Sequence, residues 1–378
     1  MKTHSVNIVL LGLIFFGVMS CTRDTRPLDA RVEEALTHRL HEFDVKGTSV
    51  AIILPDGSIH RVCAGVSADT VAMKPDMLFA LGSITKNMVA ALILQLAEER
   101  LLSLDDQLYK WLPSYPNIDS TITIRQLLNH TSGIYMFWEN PKLWEDMLAF
   151  RDSLFTPEVV LTYLKKPYFA RGKGFRYSNS NYLLLATIAA RATHSSLSAQ
   201  FRTRFWEPLH LNNTYLSLEE HIPPEQLAHV WGDNFQNDGS NRDITFLPRV
   251  SHESITYGSS GVFTTAEELA LWCSALFHGQ VLKESSLSQM LDFNPQATTS
   301  WCDGYGLGVQ VFKKRITAGE RAYGHGGGNI GTSAYMAFLP EWDVSITVMI
   351  NFFHGKCPDR MLEDIIEIVT EHLRSSRG

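Results

Sequence analysis

Hydrophobic residues recur at helical spacing near both ends of the chain. Residues 29–44 and 358–374 place apolar side chains three and four positions apart, which predicts an amphipathic helix at each end. Two apolar runs, 48–54 and 59–66, flank the turn sequence Pro-Asp-Gly-Ser, and this pattern predicts a β-hairpin. By contrast, residues 88–94 are apolar on all sides, as expected for a helix that lies inside the protein.

The middle and the C-terminal third of the chain have different periods. Helical patterns recur at 124–128, over 140–220 and in the stretch that ends at 277, whereas 306–312, 332–339 and 344–351 alternate or run apolar over strand lengths. We therefore predict an α+β fold, in which one antiparallel sheet takes its strands from both chain ends and is flanked by the terminal helices. The sheet domain would comprise residues 30–80 and 300–378, and residues 81–299 would form a mostly helical inserted domain.

The stretch from residue 221 to residue 250 is rich in Pro, Asn and Asp and has no period. Loops of this length inside a compact domain are usually functional. We expect this one to border a pocket.

The first residues have the pattern of a targeting segment. Lys2 and His4 precede an apolar run, residues 8–18, and Cys21 follows where cleavage would fall. The sequence around Cys21 resembles a bacterial lipoprotein box, which predicts a signal peptide over 1–20, lipidation of Cys21 and a tether over 21–29. The expected location is the cell envelope, with the domain facing the periplasm or the exterior. Met19 is bulkier than the usual residue there, so an ordinary signal peptide and an uncleaved anchor stay open as alternatives.

Composition excludes some classes of function. The 378 residues carry a formal net charge of −7 and 45% hydrophobic residues, which is ample for a core and gives no basic footprint for nucleic acid. Besides Cys21, the cysteines are widely spaced and form no C-x-x-C pair, so isolated thiols are favoured over a disulfide framework or a zinc site. They are Cys63, Cys273, Cys302 and Cys357.

The candidate chemistry starts at Ser83 and Lys86, three residues apart at the start of the buried helix. On a helix, residues at this spacing are neighbours, so a hydroxyl and an amine would lie side by side. That pair can serve as a serine nucleophile with its base if burial lowers the proton affinity of the amine. His130 precedes Thr-Ser-Gly in a turn, where structural capping is favoured over a catalytic role.

Other motifs fail on their context. Residues 326–331 match G-x-G-x-x-G, but they lead into a strand rather than open a helix, which argues against a dinucleotide loop. The sequence has no G-x-S-x-G and no H-E-x-x-H.

Three motifs follow one another in a diagnostic order: S-x-x-K at Ser83, Y-S-N at Tyr177 and H-G-G at His325. Residues 127–133 and 172–182 add supporting similarity. Together they resemble the serine β-lactamase and penicillin-binding protein superfamily over roughly residues 30–370. The class C β-lactamase and D-alanyl-D-alanine carboxypeptidase group, with its related esterases, is the most similar branch. The resemblance implies the β-lactamase/transpeptidase-like fold.

The resemblance also implies roles for individual residues. Ser83 would attack a carbonyl, Lys86 would take its proton, and Tyr177 would relay that proton to the leaving group. Asn179 would hold Lys86 and the substrate amide. The oxyanion hole would be formed by the N–H groups of Ser83 and Gly328, at the end of the substrate-binding segment His325, Gly326, Gly327 and Gly328.

The departures from the family pattern bear on the substrate. Lactam-hydrolysing members usually carry K-T-G or K-S-G, whereas His325 and Gly326 offer a partly charged imidazole and no hydroxyl. Binding of a substrate carboxylate should therefore be weak and should depend on pH. The implied function is a serine hydrolase with an acyl-serine intermediate on a peptide, amide or ester carbonyl, D-Ala-D-Ala carboxypeptidase-like or esterase-like.

Two alternatives stay open, a class C-type β-lactamase and a non-catalytic envelope-binding module on the same fold. No metal or cofactor is expected. The expected partners are a small-molecule or peptidoglycan-peptide substrate and the membrane that holds the anchor, and we expect a monomer.

Overall fold

The computed structural model describes residues 26–233 and 241–376, so the predicted signal peptide and Cys21 lie outside the described residues. The helices are α1 Leu28–Phe43, α2 Thr85–Glu98, α3 Ile124–Leu128, α4 Pro141–Ala149, α5 Pro157–Leu161, α6 Asn179–Thr193, α7 Leu197–Phe201, α8 Val250–Ile255, α9 Ala266–Phe277, α10 Glu284–Met290 and α11 Cys357–Ser376. The strands are β1 Gly47–Ile53, β2 Ile59–Ala68, β3 Val71–Ala72, β4 Phe79–Ala80, β5 Tyr215–Leu216, β6 Trp231–Gly232, β7 Arg242–Asp243, β8 Val262–Thr264, β9 Cys302–Tyr305, β10 Gln310–Phe312, β11 Tyr323–Asn329, β12 Thr332–Leu339 and β13 Val344–Ile350.

The main sheet has eight antiparallel strands in the order β3-β2-β1-β13-β12-β11-β10-β9. Its centre joins the two chain ends, because β1 pairs with β13 and places Val50 opposite Val348. Side chains alternate across a strand, so Val50 and Ile52 pack with α1 and α11 on one face while Ala51 and Ile53 join the other core. This architecture confirms the predicted α+β fold class.

Two features differ from the predicted layout. Residues 306–312 do not form one strand: the chain leaves β9 after Tyr305 and enters β10 at Gln310. Gly308 has a φ of +74°, and a Cβ at Gly306 would overlap the Met290 carbonyl, so close packing against α10 imposes a turn there. Helix α9, which lies within the predicted helical insert, packs on β1 and β13 of the sheet.

Helix α2 is the centre of the helical region. Every residue from Thr85 to Leu94 is buried, in agreement with a sequence that is apolar on all sides, and the helix packs against α6, α7 and α10. Within the part of the chain that the structure describes, no helix is both long enough and apolar enough to cross a membrane. The four cysteines among the described residues are free thiols, as their spacing predicted.

The helical region meets the sheet where β11 packs on a 3₁₀ turn, Gly82–Ile84, that leads into α2. The contact is between main chains. A Cβ on Gly327 would overlap the Leu81 carbonyl oxygen, and a Cβ on Gly82 would lie 2.6 Å from the Gly328 nitrogen. Gly82 also has a φ of +55°, a conformation that glycine adopts without strain. Glycines on both sides therefore allow this close approach.

We predict that Gly327→Ala destabilises the protein by about 1–3 kcal/mol, since the added methyl group forces two backbones apart. The matched control is Gly328→Ala. Its Cβ would overlap only the ring of Phe353, which is 65% exposed and can move aside. Urea unfolding measures both variants, and equal losses of stability would contradict the proposed main-chain contact.

Candidate active site

Ser83 lies in the 3₁₀ turn that precedes α2, and Lys86 lies within the first turn of that helix. The Lys86 Nζ is 2.8 Å from the Ser83 Oγ, within hydrogen-bond distance. The S-x-x-K spacing thus brings the hydroxyl and the amine together, as predicted. Ser83 is partly accessible while Lys86 is fully buried, so the nucleophile faces the substrate side and the amine lies behind it.

Burial determines the protonation of Lys86. Its side chain has no exposed surface, and desolvation lowers its pKa well below the ordinary value of a lysine. The Nζ donates a hydrogen bond to the Ser259 carbonyl oxygen at 2.8 Å, and no carboxylate among the described residues forms an ion pair with it. A neutral amine beside a serine hydroxyl can act as a general base.

Tyr177 covers the amine. The Lys86 Nζ is 5.0 Å from the centroid of the Tyr177 ring. Burial raises the pKa of the Tyr177 hydroxyl well above its usual range, an effect that the nearby Ser83 hydroxyl partly offsets. The hydroxyl is buried and makes no hydrogen bond of good geometry to any described residue. A protonated phenol in this position is available to pass a proton to a leaving group.

Asn179 differs from its predicted role. Its Oδ1 is buried and has no hydrogen-bond partner among the described residues, and the partner of Lys86 is the Ser259 carbonyl instead. Asn179 begins α6, where its backbone N–H contacts the Met136 sulfur at 3.1 Å. Its side chain lines a cavity next to the reactive serine. The assignment of Asn179 to holding Lys86 is therefore wrong for this structure, whereas binding of a substrate N–H by its Oδ1 stays a prediction.

His325 is the second correction, because the sequence predicted a partly charged imidazole. The ring is buried, and desolvation together with the nearby Lys86 lowers its pKa to about 3. Its Nδ1–H donates to the Gly326 carbonyl at 2.6 Å, and its Nε2 accepts from the Tyr305 hydroxyl at 2.9 Å. Both ring nitrogens are thus occupied by protein partners. His325 is neutral at physiological pH and has no free donor for a carboxylate.

The three glycines after His325 lie on β11, beside the nucleophile turn. A Cβ on Gly326 would lie 2.5 Å from the Tyr335 ring, so there is no room for the hydroxyl-bearing residue that K-T-G would place there. Gly327 and Gly328 pack against Leu81 and Gly82. The N–H groups of Ser83 and Gly328 stay the predicted oxyanion donors, and the structure brings the segments that carry them together.

His130 organises the segment that carries Tyr177. Its Nδ1 accepts hydrogen bonds from the Ser178 N–H at 3.2 Å and from the Asn181 side-chain amide at 3.0 Å. Its ring lies 4.4 Å from the Tyr177 ring. Because Nδ1 accepts two donors, the proton of the neutral ring is on Nε2, and burial lowers the pKa of His130 well below its usual range. His130 therefore has a structural role, as predicted, and the segment that it holds in place carries a residue of the site.

Two residues of the site were not predicted from the sequence. Ser259 contributes a main-chain carbonyl, which any residue could supply, so its identity carries no signal. Tyr305 contributes a hydroxyl to His325 from β9, and only the fold places these two residues together.

A cavity of 610 Å³ opens at the site. Its lining includes Asn179 and Gly328 and residues of the predicted pocket-bordering loop, among them Trp231 and Ile244. Aromatic side chains from other segments complete the lining. The expectation that the loop borders a pocket is confirmed. A second cavity of 610 Å³ is lined by Arg100, Lys283 and other residues near the far end of α2, and it contains none of the motif residues.

Comparison with known proteins agrees with this geometry. The model of the Beta-lactamase family matches residues 32–370. The chain belongs to the beta-lactamase family. Penicillin-binding protein 4* of Bacillus subtilis is 31% identical over 159 residues, which are 42% of this chain and 34% of that protein. The esterase EstB of Burkholderia gladioli is 29% identical over 278 residues, 65% of this chain and 69% of the esterase.

Among solved structures, a D-stereospecific amidohydrolase from Streptomyces sp. superimposes with a TM-score of 0.75 at 27% identity, covering 86% of this chain and 94% of that one. The chain spans about a third of the length of Penicillin-binding protein 4*. The family and the fold are thereby shown, and the relatives differ in the reactions that their names describe.

We predict that the His325 ring does not titrate between about pH 5 and 8, where an ordinary imidazole does. In the folded protein the lowered pKa keeps His325 unprotonated, whereas in the unfolded chain the ring takes up a proton below about pH 6.5. The free energy of unfolding therefore decreases as the pH falls from about 6.5 towards 3. NMR titration of the imidazole C–H signals, assigned by their loss in His325→Gln, measures the ring directly. A midpoint near 6.5 for that signal would contradict the buried, neutral state.

Proposed function

We propose that this protein is a serine hydrolase that cleaves an ester or amide through an acyl-Ser83 intermediate. The observation that carries the proposal is the buried amine of Lys86, 2.8 Å from the Ser83 hydroxyl oxygen with a strongly lowered pKa. The presence of an esterase and an amidohydrolase among the relatives supports the same reaction class.

In the first half-reaction the Ser83 Oγ forms a bond to the carbonyl carbon, and its proton passes to the neutral Lys86 Nζ. The N–H groups of Ser83 and Gly328 would stabilise the negative charge that develops on the carbonyl oxygen. The bond to the leaving group then breaks, and the leaving group departs with a proton delivered through the Tyr177 hydroxyl. A water molecule then gives up a proton to Lys86 and Tyr177 while its oxygen forms a bond to the acyl carbon. The bond from that carbon to the Ser83 Oγ breaks, the Oγ takes the proton back, and the carboxylic acid leaves.

The state of His325 favours an ester or amide without a carboxylate over a D-Ala-D-Ala peptide or a β-lactam. Substrates of those two kinds present a carboxylate, and the segment that would meet it has a neutral imidazole with both nitrogens occupied and a glycine without a hydroxyl. An unpaired carboxylate loses its hydration without a partner, which costs binding energy. Turnover of nitrocefin at the rate of an efficient β-lactamase would favour the lactamase alternative instead.

We predict that a fluorophosphonate probe reacts with Ser83, so that the protein gains the mass of one phosphonyl group. Ser83→Ala should abolish this adduct. Lys86→Met should lower the acylation rate by about 10²–10⁴-fold, the usual contribution of a general base. Intact mass spectrometry and p-nitrophenyl ester hydrolysis measure both effects. The matched control is Ser285→Ala, which removes an exposed serine that lines the second cavity, where no motif residue lies.

If neither an adduct nor ester or amide cleavage is observed with the folded protein, the hydrolase proposal fails. The non-catalytic binding module would then be the better interpretation.

We also propose that the protein is an envelope lipoprotein anchored through Cys21. The support is the sequence alone, namely an apolar segment of signal-peptide length followed by Cys21. We expect the full chain, expressed in a bacterium with its own leader, to partition with membranes and to be released by Cys21→Ala. Fractionation measures this, with Cys63→Ala as the control. Equal partitioning of wild type and Cys21→Ala would contradict the lipid anchor and favour an uncleaved apolar segment.

A further inference from the structure

The cavity beside Ser83 is lined by more large apolar side chains than a site for the methyl group of an alanyl residue requires. Ile244 and Ile330 add apolar surface to the six aromatic side chains that line it, which are Phe43, Trp138, Trp144, Trp231, Phe352 and Phe353. Its volume of 610 Å³ is within the range of pockets that enclose drug-sized ligands. An alanyl methyl group would leave most of this surface without contact.

Two of the three indole N–H groups in this lining donate hydrogen bonds to protein carbonyls. The Trp231 Nε1–H donates to the Ser67 carbonyl at 2.8 Å, and the Trp144 Nε1–H donates to the Trp138 carbonyl at 2.9 Å. Trp138 stacks on His252 with 5.6 Å between ring centroids. Indoles whose N–H groups are already bonded present their apolar faces and edges to an occupant, so the wall favours a hydrophobic group.

The charged residues that line the cavity also favour an uncharged occupant. Among the described residues that line the cavity there is no lysine or arginine, whereas Asp44 and Asp233 are both acidic. The described lining therefore offers no lysine or arginine side chain to pair with an anionic group. Asn179 supplies an acceptor, since its Oδ1 is buried and has no hydrogen-bond partner in the described part of the chain.

The position of the cavity relates it to the reaction. Gly328, a predicted oxyanion donor, and Asn179, which begins α6 two residues after Tyr177, both line it. A carbonyl held at Ser83 would therefore direct one of its substituents into this space.

We propose that this cavity is the acyl-side subsite and that it selects esters or amides whose acyl group carries an aromatic or similarly bulky, uncharged side chain. An N–H on that acyl group would donate to the Asn179 Oδ1. This inference rests on the proposed hydrolase function and adds the substrate class. The site discriminates by apolar burial, because a phenyl ring removed from water contributes far more to binding than a methyl group does.

The test compares p-nitrophenyl esters that share one leaving group: acetate, butyrate, 3-phenylpropanoate and the anionic glutarate. We expect kcat/KM for the phenylpropanoate to exceed that for the acetate by roughly 10- to 100-fold, the range that one buried apolar group provides. The glutarate should react more slowly than the butyrate.

Phe353→Ala and Trp138→Leu should lower the ratio of kcat/KM for the phenylpropanoate to kcat/KM for the acetate. Phe353 is 65% exposed, so its loss does not threaten folding. Phe150→Ala is the matched control, because Phe150 is 56% exposed and does not line the cavity.

The outcomes separate this inference from the proposed function. A Ser83 adduct with equal kcat/KM for acetate and phenylpropanoate would overturn the subsite assignment and leave the hydrolase intact. Faster cleavage of the glutarate than of the butyrate would overturn the charge argument. Absence of any Ser83 adduct would instead reject the hydrolase on which the subsite depends.

Discussion

The burial of Lys86 is the constraint on which the rest of the site depends. A charged ammonium in a dry environment is strongly unfavourable unless it is paired, and burial lowers the pKa of Lys86 well below the ordinary value of a lysine. The neutral amine is the form that this environment stabilises. It keeps one firm hydrogen bond to the Ser259 carbonyl and lies next to the Ser83 hydroxyl. The same burial that makes the side chain costly as a cation therefore makes it useful as a base.

Keeping Lys86 dry requires contributions from distant parts of the chain. Tyr177 and Tyr182 from the helical region cover the amine with their rings, and β11 closes the other side through main-chain contact with the nucleophile turn. That contact is possible only because neither backbone carries a side chain where they meet. The close approach of the sheet to the nucleophile turn thus helps to exclude water from Lys86.

The sequence predicted those parts of the fold and site that depend on local pattern. The terminal helices, the first hairpin and strand β12 follow from periodicity, and Ser83 and Lys86 follow from their spacing on a helix. Predictions that depend on tertiary packing were less successful. The imidazole of His325 was expected to be partly charged, but its environment is set by Tyr305 and Lys86, which are remote in sequence. The break between β9 and β10 arises from contact with α10. The carbonyl of Ser259 has no signal in the sequence, because every residue type offers the same main-chain acceptor.

The two neutral histidines near the serine change how recognition by this site should be understood. His130 and His325 are both buried with lowered pKa values, and Lys86 is among the causes for each. A cation at either ring would oppose protonation of Lys86 during acylation, since like charges at short range in a poorly solvated region repel strongly. Keeping both rings neutral leaves Lys86 free to accept the serine proton. It also leaves no cationic imidazole for a substrate carboxylate, in agreement with the proposed preference for an uncharged acyl group.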